Sequence, residues 1–293
     1  MPRCGDVTRP PGPAARSLTS SGHVGDVHLS PTSRPVRKEA LVKRNRYLFL
    51  PLLLMFALPA QAQEPEVQWL TIFAEHVPIS DQAAFEENSR SFLSMMSDAG
   101  ISDVGWATVQ SQMFGYAYVM PGGPGDLAEL NATWGAALAK LGDRGAESMA
   151  KGDKLVSSRD MYYIGLRTDL SYMPDRVQIN AEQPFRYYTQ LFVHPHKVAE
   201  FEASLSGWQS MYRDAGVEHG WRVYQYMTGT DLPAYLVVQA ATSEAVFHER
   251  QAELESSFGD RIEEMRGKTG PTLRRAVNSG GWVRPDLSYP AGN

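Results

Sequence analysis

Between residues 66 and 290 the apolar positions switch repeatedly between strand and helix periods, and the same succession runs twice. Trp69–His76 and Phe185–His194 are dense in aromatic and β-branched residues and are predicted as first strands. Phe85, Phe92 and Met96 follow at spacings of seven and four, as do Phe201, Trp208 and Tyr212, so each trio forms one helical stripe. Ser80 and Asp81 are expected to cap the first of these helices. Asp98-Ala99-Gly100 and Asp214-Ala215-Gly216 are expected to close them, since glycine accepts the left-handed turn of a C-terminal cap. Gly105–Gln112 and Gly220–Tyr226 alternate as second strands, and Tyr116–Met120 and Ala234–Gln239 as third strands. Second helices are predicted over Ala128–Leu141 and Ser243–Phe258, each prolonged past a Gly-Asp-Arg step, with fourth strands over Met161–Arg167 and Gly281–Arg284.

The duplication is visible residue by residue. Leu141-Gly142-Asp143-Arg144 recurs as Phe258-Gly259-Asp260-Arg261, and Arg167-Thr168-Asp169-Leu170-Ser171-Tyr172 as Arg284-Pro285-Asp286-Leu287-Ser288-Tyr289, both at a shift of 117. Asp98-Ala99-Gly100 matches Asp214-Ala215-Gly216 at 116, Gly105-Trp106 matches Gly220-Trp221 at 115, and Ala117-Tyr118-Val119 matches Ala234-Tyr235-Leu236 at 117. Collinear matches with small changes of shift are the mark of an internal repeat. The reading is a first unit over 63–174, a polar linker over 175–183 and a second unit over 184–293.

Each unit has the order strand, helix, strand, strand, helix, strand, an α+β ferredoxin-like unit whose helices cover one face of an antiparallel sheet. The bare faces are expected to pack sheet to sheet about a pseudo-twofold axis. In this patterning, with a Phe-containing first helix ending in Ala-Gly and a Gly-Trp strand behind it, the chain resembles the dimeric α+β barrel superfamily with both units fused in tandem. The resemblance implies a pseudo-dimeric barrel with a pocket. The superfamily includes cofactor-independent monooxygenases, haem-degrading enzymes and muconolactone-isomerase-like proteins. No catalytic motif of these can be placed on this sequence, so no catalytic residue is carried over.

The N-terminus changes the setting. A basic stretch with Arg37, Lys38, Lys43, Arg44 and Arg46, the apolar run Tyr47–Ala60 and Ala60-Gln61-Ala62 read as a signal peptide cut after Ala62. Residues 1–40 fit a leader badly, and the hypothesis is that translation starts near Leu41 or Val42. The mature chain is then expected in the periplasm or outside the cell, without an integral membrane span. Cutting there removes Cys4, the only cysteine, and leaves 19 basic against 30 acidic residues, a net charge of −11. That excludes cysteine chemistry from the mature chain and disfavours nucleic acid as a partner.

Candidate chemistry concentrates on the second strands, where residues two apart share a face. Trp106 and Gln110 recur as Trp221 and Gln225, with Tyr118 and Tyr235 on the third strands, and this mixture of rings and amides suits a ligand pocket between the sheets. His76 and His194 end the first strands and are candidates for a haem ligand or a general base. His194-Pro195-His196 lacks a third metal ligand by spacing, so no metal site is expected. Arg167 with Asp169 and Arg284 with Asp286 read as turn-fixing ion pairs, and Gly122-Gly123-Pro124-Gly125 as a loop before a helix. The leading expectation is an exported protein binding a small apolar or aromatic ligand between its units. The alternative is a monooxygenase-like oxidoreductase, cofactor-independent or haem-dependent, and the third reading is a purely structural module with a filled barrel.

Overall fold

The computed structural model describes residues 67–174 and 182–289. The leader, its cleavage site and residues 175–181 of the linker lie outside them. The first half comprises β1 (Trp69–His76), α1 (Gln82–Asp98), β2 (Ala107–Ser111), β3 (Gly115–Pro121), α2 (Leu127–Asp153) and β4 (Ser158–Leu166). The second comprises β5 (Phe185–Val193), α3 (Val198–Asp214), β6 (Trp221–Thr228), β7 (Ala234–Ala241), α4 (Glu244–Phe258), α5 (Asp260–Thr269) and β8 (Leu273–Val283). All eight strands close into one antiparallel barrel in the order β1-β3-β2-β8-β5-β7-β6-β4. Each half supplies four adjacent strands, and the halves meet through hydrogen-bonded seams at β2–β8 and β4–β6.

Strand alternation sends one set of side chains inward and the other under the helices. Ile72, Val109, Ala117, Ile164, Tyr188, Tyr224, Tyr226 and Leu236 meet in the barrel interior. Phe114 enters it from the β2–β3 turn, with its ring edge-on to Tyr162 and Tyr188 at centroid distances of 5.8 and 5.5 Å. The opposite faces carry separate layers beneath α1 and α2 in the first half and beneath α3, α4 and α5 in the second.

Several expectations need correction. Asp81 makes no side-chain cap bond; Ile79–Asp81 form a 3-10 turn whose own i→i+3 bond leads into α1. The fourth strand of the second half begins at Leu273, well before Gly281, because Arg274, Arg275, Asn278 and Ser279 interrupt the apolar alternation there. Arg275 nevertheless joins the barrel layer by stacking its guanidinium 3.9 Å from the Phe192 ring centre. Third strands align differently as well. Gln110 lies opposite Tyr116 and Gln225 opposite Tyr235, so the counterpart of Tyr235 is Tyr116 and not Tyr118. The longer β6–β7 hairpin hides that offset in the sequence.

The repeated Gly-Asp-Arg step has a clear origin. Gly142 breaks α2 at φ +57° and Gly259 separates α4 from α5 at φ +52°, a backbone region in which glycine carries no Cβ penalty.

Candidate ligand-binding site

The residues that recur in both halves form two reciprocal clasps. After β4 the chain runs over 167–172 and pairs with β6: Arg167 N–H donates to the Val223 carbonyl at 2.8 Å, and Tyr172 and Trp221 exchange backbone bonds. After β8 the segment 284–289 does the same to β2, with Arg284 N–H donating to Thr108 and Trp106 exchanging bonds with Tyr289. Each tail therefore binds the other half's second strand. Gly220 is needed for this approach, since a Cβ there would lie 1.9 Å from the Tyr172 carbonyl oxygen.

Arginine side chains lock the clasps. Arg284 donates to Glu86 on α1 at 2.7 and 2.8 Å, to Gln110 Oε1 at 2.6 Å and to Asp286 at 2.8 and 2.9 Å. Arg167 donates in the same way to Glu202 on α3, Gln225 and Asp169. Tyr116 Oη adds a bond to Glu86 and Tyr235 Oη one to Glu202. Hydrogen bonds from Arg284 hold the Glu86 carboxyl down at about 2, against the opposing effect of its burial. Asp286 and Asp169 are lowered by their own arginines, and Glu202 is lowered because Arg167 and Tyr235 outweigh its burial. The tryptophans finish the clasps, Trp106 Nε1 donating to the Leu287 carbonyl at 3.1 Å and Trp221 Nε1 to Leu170 at 3.3 Å.

A cavity of about 400 Å³ lies elsewhere, between the first half's sheet and α1 and α2. The expectation of a pocket between the two sheets is corrected: Trp106 shares the parity of Thr108 and Gln110, which face the helix side, while Val109 faces the interior. Phe73, Phe92, Trp106, Met120, Leu130 and Trp134 supply apolar walls, with Trp106 and Trp134 rings 5.4 Å apart. Met149 and Met161 are lining residues more than two-fifths exposed. A polar group is built into one end. Glu75, buried on β1, accepts from Tyr118 Oη at 3.0 Å and from Arg159 Nε at 2.8 Å, and Arg159 also donates to Asp153 at 2.5 Å. Asn88 and Ser148 bridge α1 to α2 beside it, Asn88 Nδ2 donating to the Ser148 carbonyl at 3.0 Å. Burial first, and the adjacent Glu75 charge second, push the Tyr118 phenol well above its ordinary value.

Of the six residues singled out as ligand-binding, the structure thus brings two to the cavity, Trp106 and Tyr118. Gln110 and Gln225 are held by the clasp arginines, and Trp221 and Tyr235 lie in the packed layer of the second half. His76 bonds Asp160 through Nε2 at 3.0 Å, and His194 stands beside His196 at 5.5 Å between ring centres. Neither is among the residues lining the cavity, so haem held there by a histidine does not fit the residues present. Among the described residues no group of three His, Cys, Asp or Glu side chains is placed to hold a metal ion, and no helix is long and apolar enough to cross a membrane. Glu75, Arg159, Asn88, Ser148 and Trp134 escaped the sequence reading because it looked for what recurs. Comparing side-chain size at positions 117 apart would have found one of them: buried Ala137, Gly145 and Ser148 stand where the second half has buried Leu254, Ile262 and Met265.

No protein-family model and no curated protein matches this sequence. Solved structures do match by shape. An anthrone oxidase-like protein is 11% identical with a TM-score of 0.53, the match covering 78% of this chain and 95% of that one. This is the dimeric α+β barrel fold. Two further matches lie below that score. A protein from Lactobacillus acidophilus NCFM proposed to be a monooxygenase is 8% identical over 78% of this chain and 98% of its own, at 0.42. Chlorite dismutase from Candidatus Nitrospira defluvii in complex with imidazole is 12% identical over 75% and 92%, at 0.44. At such identities the likeness is one of fold alone.

Proposed function

We propose that this chain is an exported protein of two fused ferredoxin-like units whose first unit binds a small aromatic or apolar ligand between its sheet and α1 and α2. One observation carries the reading: a layer closed by side chains in the second half is open in the first, walled by rings and fitted with a buried carboxylate. Leaving apolar surface open to water costs about 25 cal/mol per Å². A small-molecule site combines such apolar walls with a few placed polar groups.

Two measurements test it. Protein purified from a periplasmic extract is expected to begin at Gln63 by N-terminal sequencing, and a start within residues 1–62 would remove the export reading. Calorimetric titration with naphthalene, a rigid hydrocarbon probe, is expected to show one site, lost when Trp134→Ala and Phe92→Ala remove two walls. Absence of binding to the parent protein by naphthalene and by its hydroxyl, ammonium and carboxylate derivatives would overturn the ligand reading.

A second reading is that the bound ligand is also oxidised. The anthrone oxidase-like neighbour favours it by name, and Glu75 beside Tyr118 offers a proton acceptor inside an aromatic site. Oxygen consumption with candidate phenols decides it; a protein that binds them without consuming oxygen is a binding protein.

A further inference from the structure

The hydrogen-bond inventory of the cavity points to the kind of ligand it takes. Five side-chain donors along its walls are directed at protein acceptors, while Asn131 and Trp134 line it without such a bond. Thr71 Oγ1 donates to the Gly122 carbonyl, Ser89 Oγ to Phe85, Trp106 Nε1 to Leu287, Tyr118 Oη to Glu75 and Asn88 Nδ2 to Ser148. Acceptors are in surplus. An ionised carboxylate accepts about four hydrogen bonds. Glu75 receives one at each oxygen, from Arg159 and from Tyr118, and keeps lone pairs at both. Charge runs the same way, since Glu75 and Asp153 face a single Arg159. That guanidinium is itself about two-fifths exposed and committed to both carboxylates.

We infer that the cavity selects aromatic ligands that donate a hydrogen bond, phenols or arylmethyl ammonium ions, and rejects the corresponding carboxylates, with Glu75 as the accepting group. The inference rests on the ligand reading above and adds the ligand's polar chemistry. At the Glu75 end an incoming carboxylate would meet a fixed negative charge beside donors, Tyr118 and Arg159, that are already bonded to Glu75 and Asp153, so it would be desolvated without compensation there. A phenol or ammonium meets an ionised acceptor, and bonds to charged groups are the stronger kind. The second half has no counterpart for this function: opposite the positions of Tyr116 and Arg159 it sets Leu191 between Tyr235 and Ala276.

Four probes on one ring system test this by calorimetry on the mature chain: naphthalene, 2-naphthol, 2-naphthylmethylammonium and 2-naphthoate. Naphthol or the ammonium is expected to bind about tenfold tighter than naphthalene, and naphthoate about tenfold weaker. Glu75→Gln should erase the donor preference, bringing the naphthol and naphthalene affinities together. Should that variant fail to fold, Tyr118→Phe decides, because removing the internal donor frees a lone pair and should preserve or strengthen naphthol binding. Naphthoate binding as tightly as naphthol, or a naphthol preference that survives Glu75→Gln, overturns the inference and leaves the cavity reading intact. Failure of all four probes overturns the cavity reading itself.

Discussion

The layer between sheet and helices is assembled from equivalent elements in the two halves, yet it is open in one and packed in the other. Ser148, one of three small buried residues on the second helix, lines the opening. Ala137, Gly145 and Ser148 present small side chains where Leu254, Ile262 and Met265 present large ones, and protein interiors register differences of even one methylene. The strand beneath follows suit. Glu75 between Tyr116 and Arg159 becomes Leu191 between Tyr235 and Ala276. Meanwhile the Arg, Asp, Glu, Gln and Trp of the clasps are the same in both halves. Recurrence here marks what holds the halves together, and departure from recurrence marks what one half does alone.

The largest expected effect separates the two tryptophans. Trp221→Ala removes an indole packed on Tyr172 and Tyr212 and should cost about 3–5 kcal/mol, whereas Trp106→Ala borders existing open space and should cost roughly 1–2 kcal/mol less. Denaturant midpoints of the two variants measure it; equal losses would mean that the first-half layer is effectively as tight as the second.

Next come the clasps. Arg167→Ala strands part-buried Glu202 and should cost about 2–3 kcal/mol, whereas Arg284→Ala leaves Glu86 its bond from Arg90 and should cost about 1 kcal/mol less. Equal losses would show that Arg90 does not support Glu86. A smaller change sharpens the contrast from the other side. Ser148→Met imports the residue found at Met265, and it should gain about 1 kcal/mol while lowering naphthalene affinity, as read by melting and calorimetry together.

A last effect is a dependence on acidity. Glu86 ionises at about 2 in the folded chain instead of at its ordinary 4.5, so its stabilisation is complete above about pH 4.5 and drains away as pH falls toward 2. Asp286, Asp169 and Glu202 are depressed in the same sense and add to the loss. Melting temperature should therefore fall from about pH 5 downward. The decline should be shallower in Arg284→Ala, which has already lost Arg284's bonds to Glu86 and Asp286; an identical slope would show that the clasp carboxylates do not govern it.

The element order was legible in the sequence because each element was written twice and each copy steadied the other. The span Trp69–His76 agrees to the residue, since aromatic and β-branched residues fill it and a Pro follows shortly after. The site was only half legible. Trp106 and Tyr118 were visible as residues, but the side of the sheet they face was not, because an alternating strand has two faces and its pattern alone does not say which one the helices cover. Glu75 and Arg159 are far apart in sequence and carry no motif. Only the β1–β4 register, which sets one opposite the other, turns them into a pair. Recurring Arg-x-Asp-Leu-Ser-Tyr read as a local turn, and its ion pair is indeed local, but its stronger purpose lies on the opposite half, which no spacing within one unit reveals.

Closing the barrel at β2–β8 and β4–β6 leaves every described strand flanked on both sides. A sheet edge is a row of unanswered amides and carbonyls, the template on which another chain can be added strand by strand. This molecule presents no such template among its described residues, and the tails that brace the two seams occupy the positions where one would otherwise begin. Among the described residues, barrel closure therefore shuts the sheet against β-addition without drawing on the helices at all.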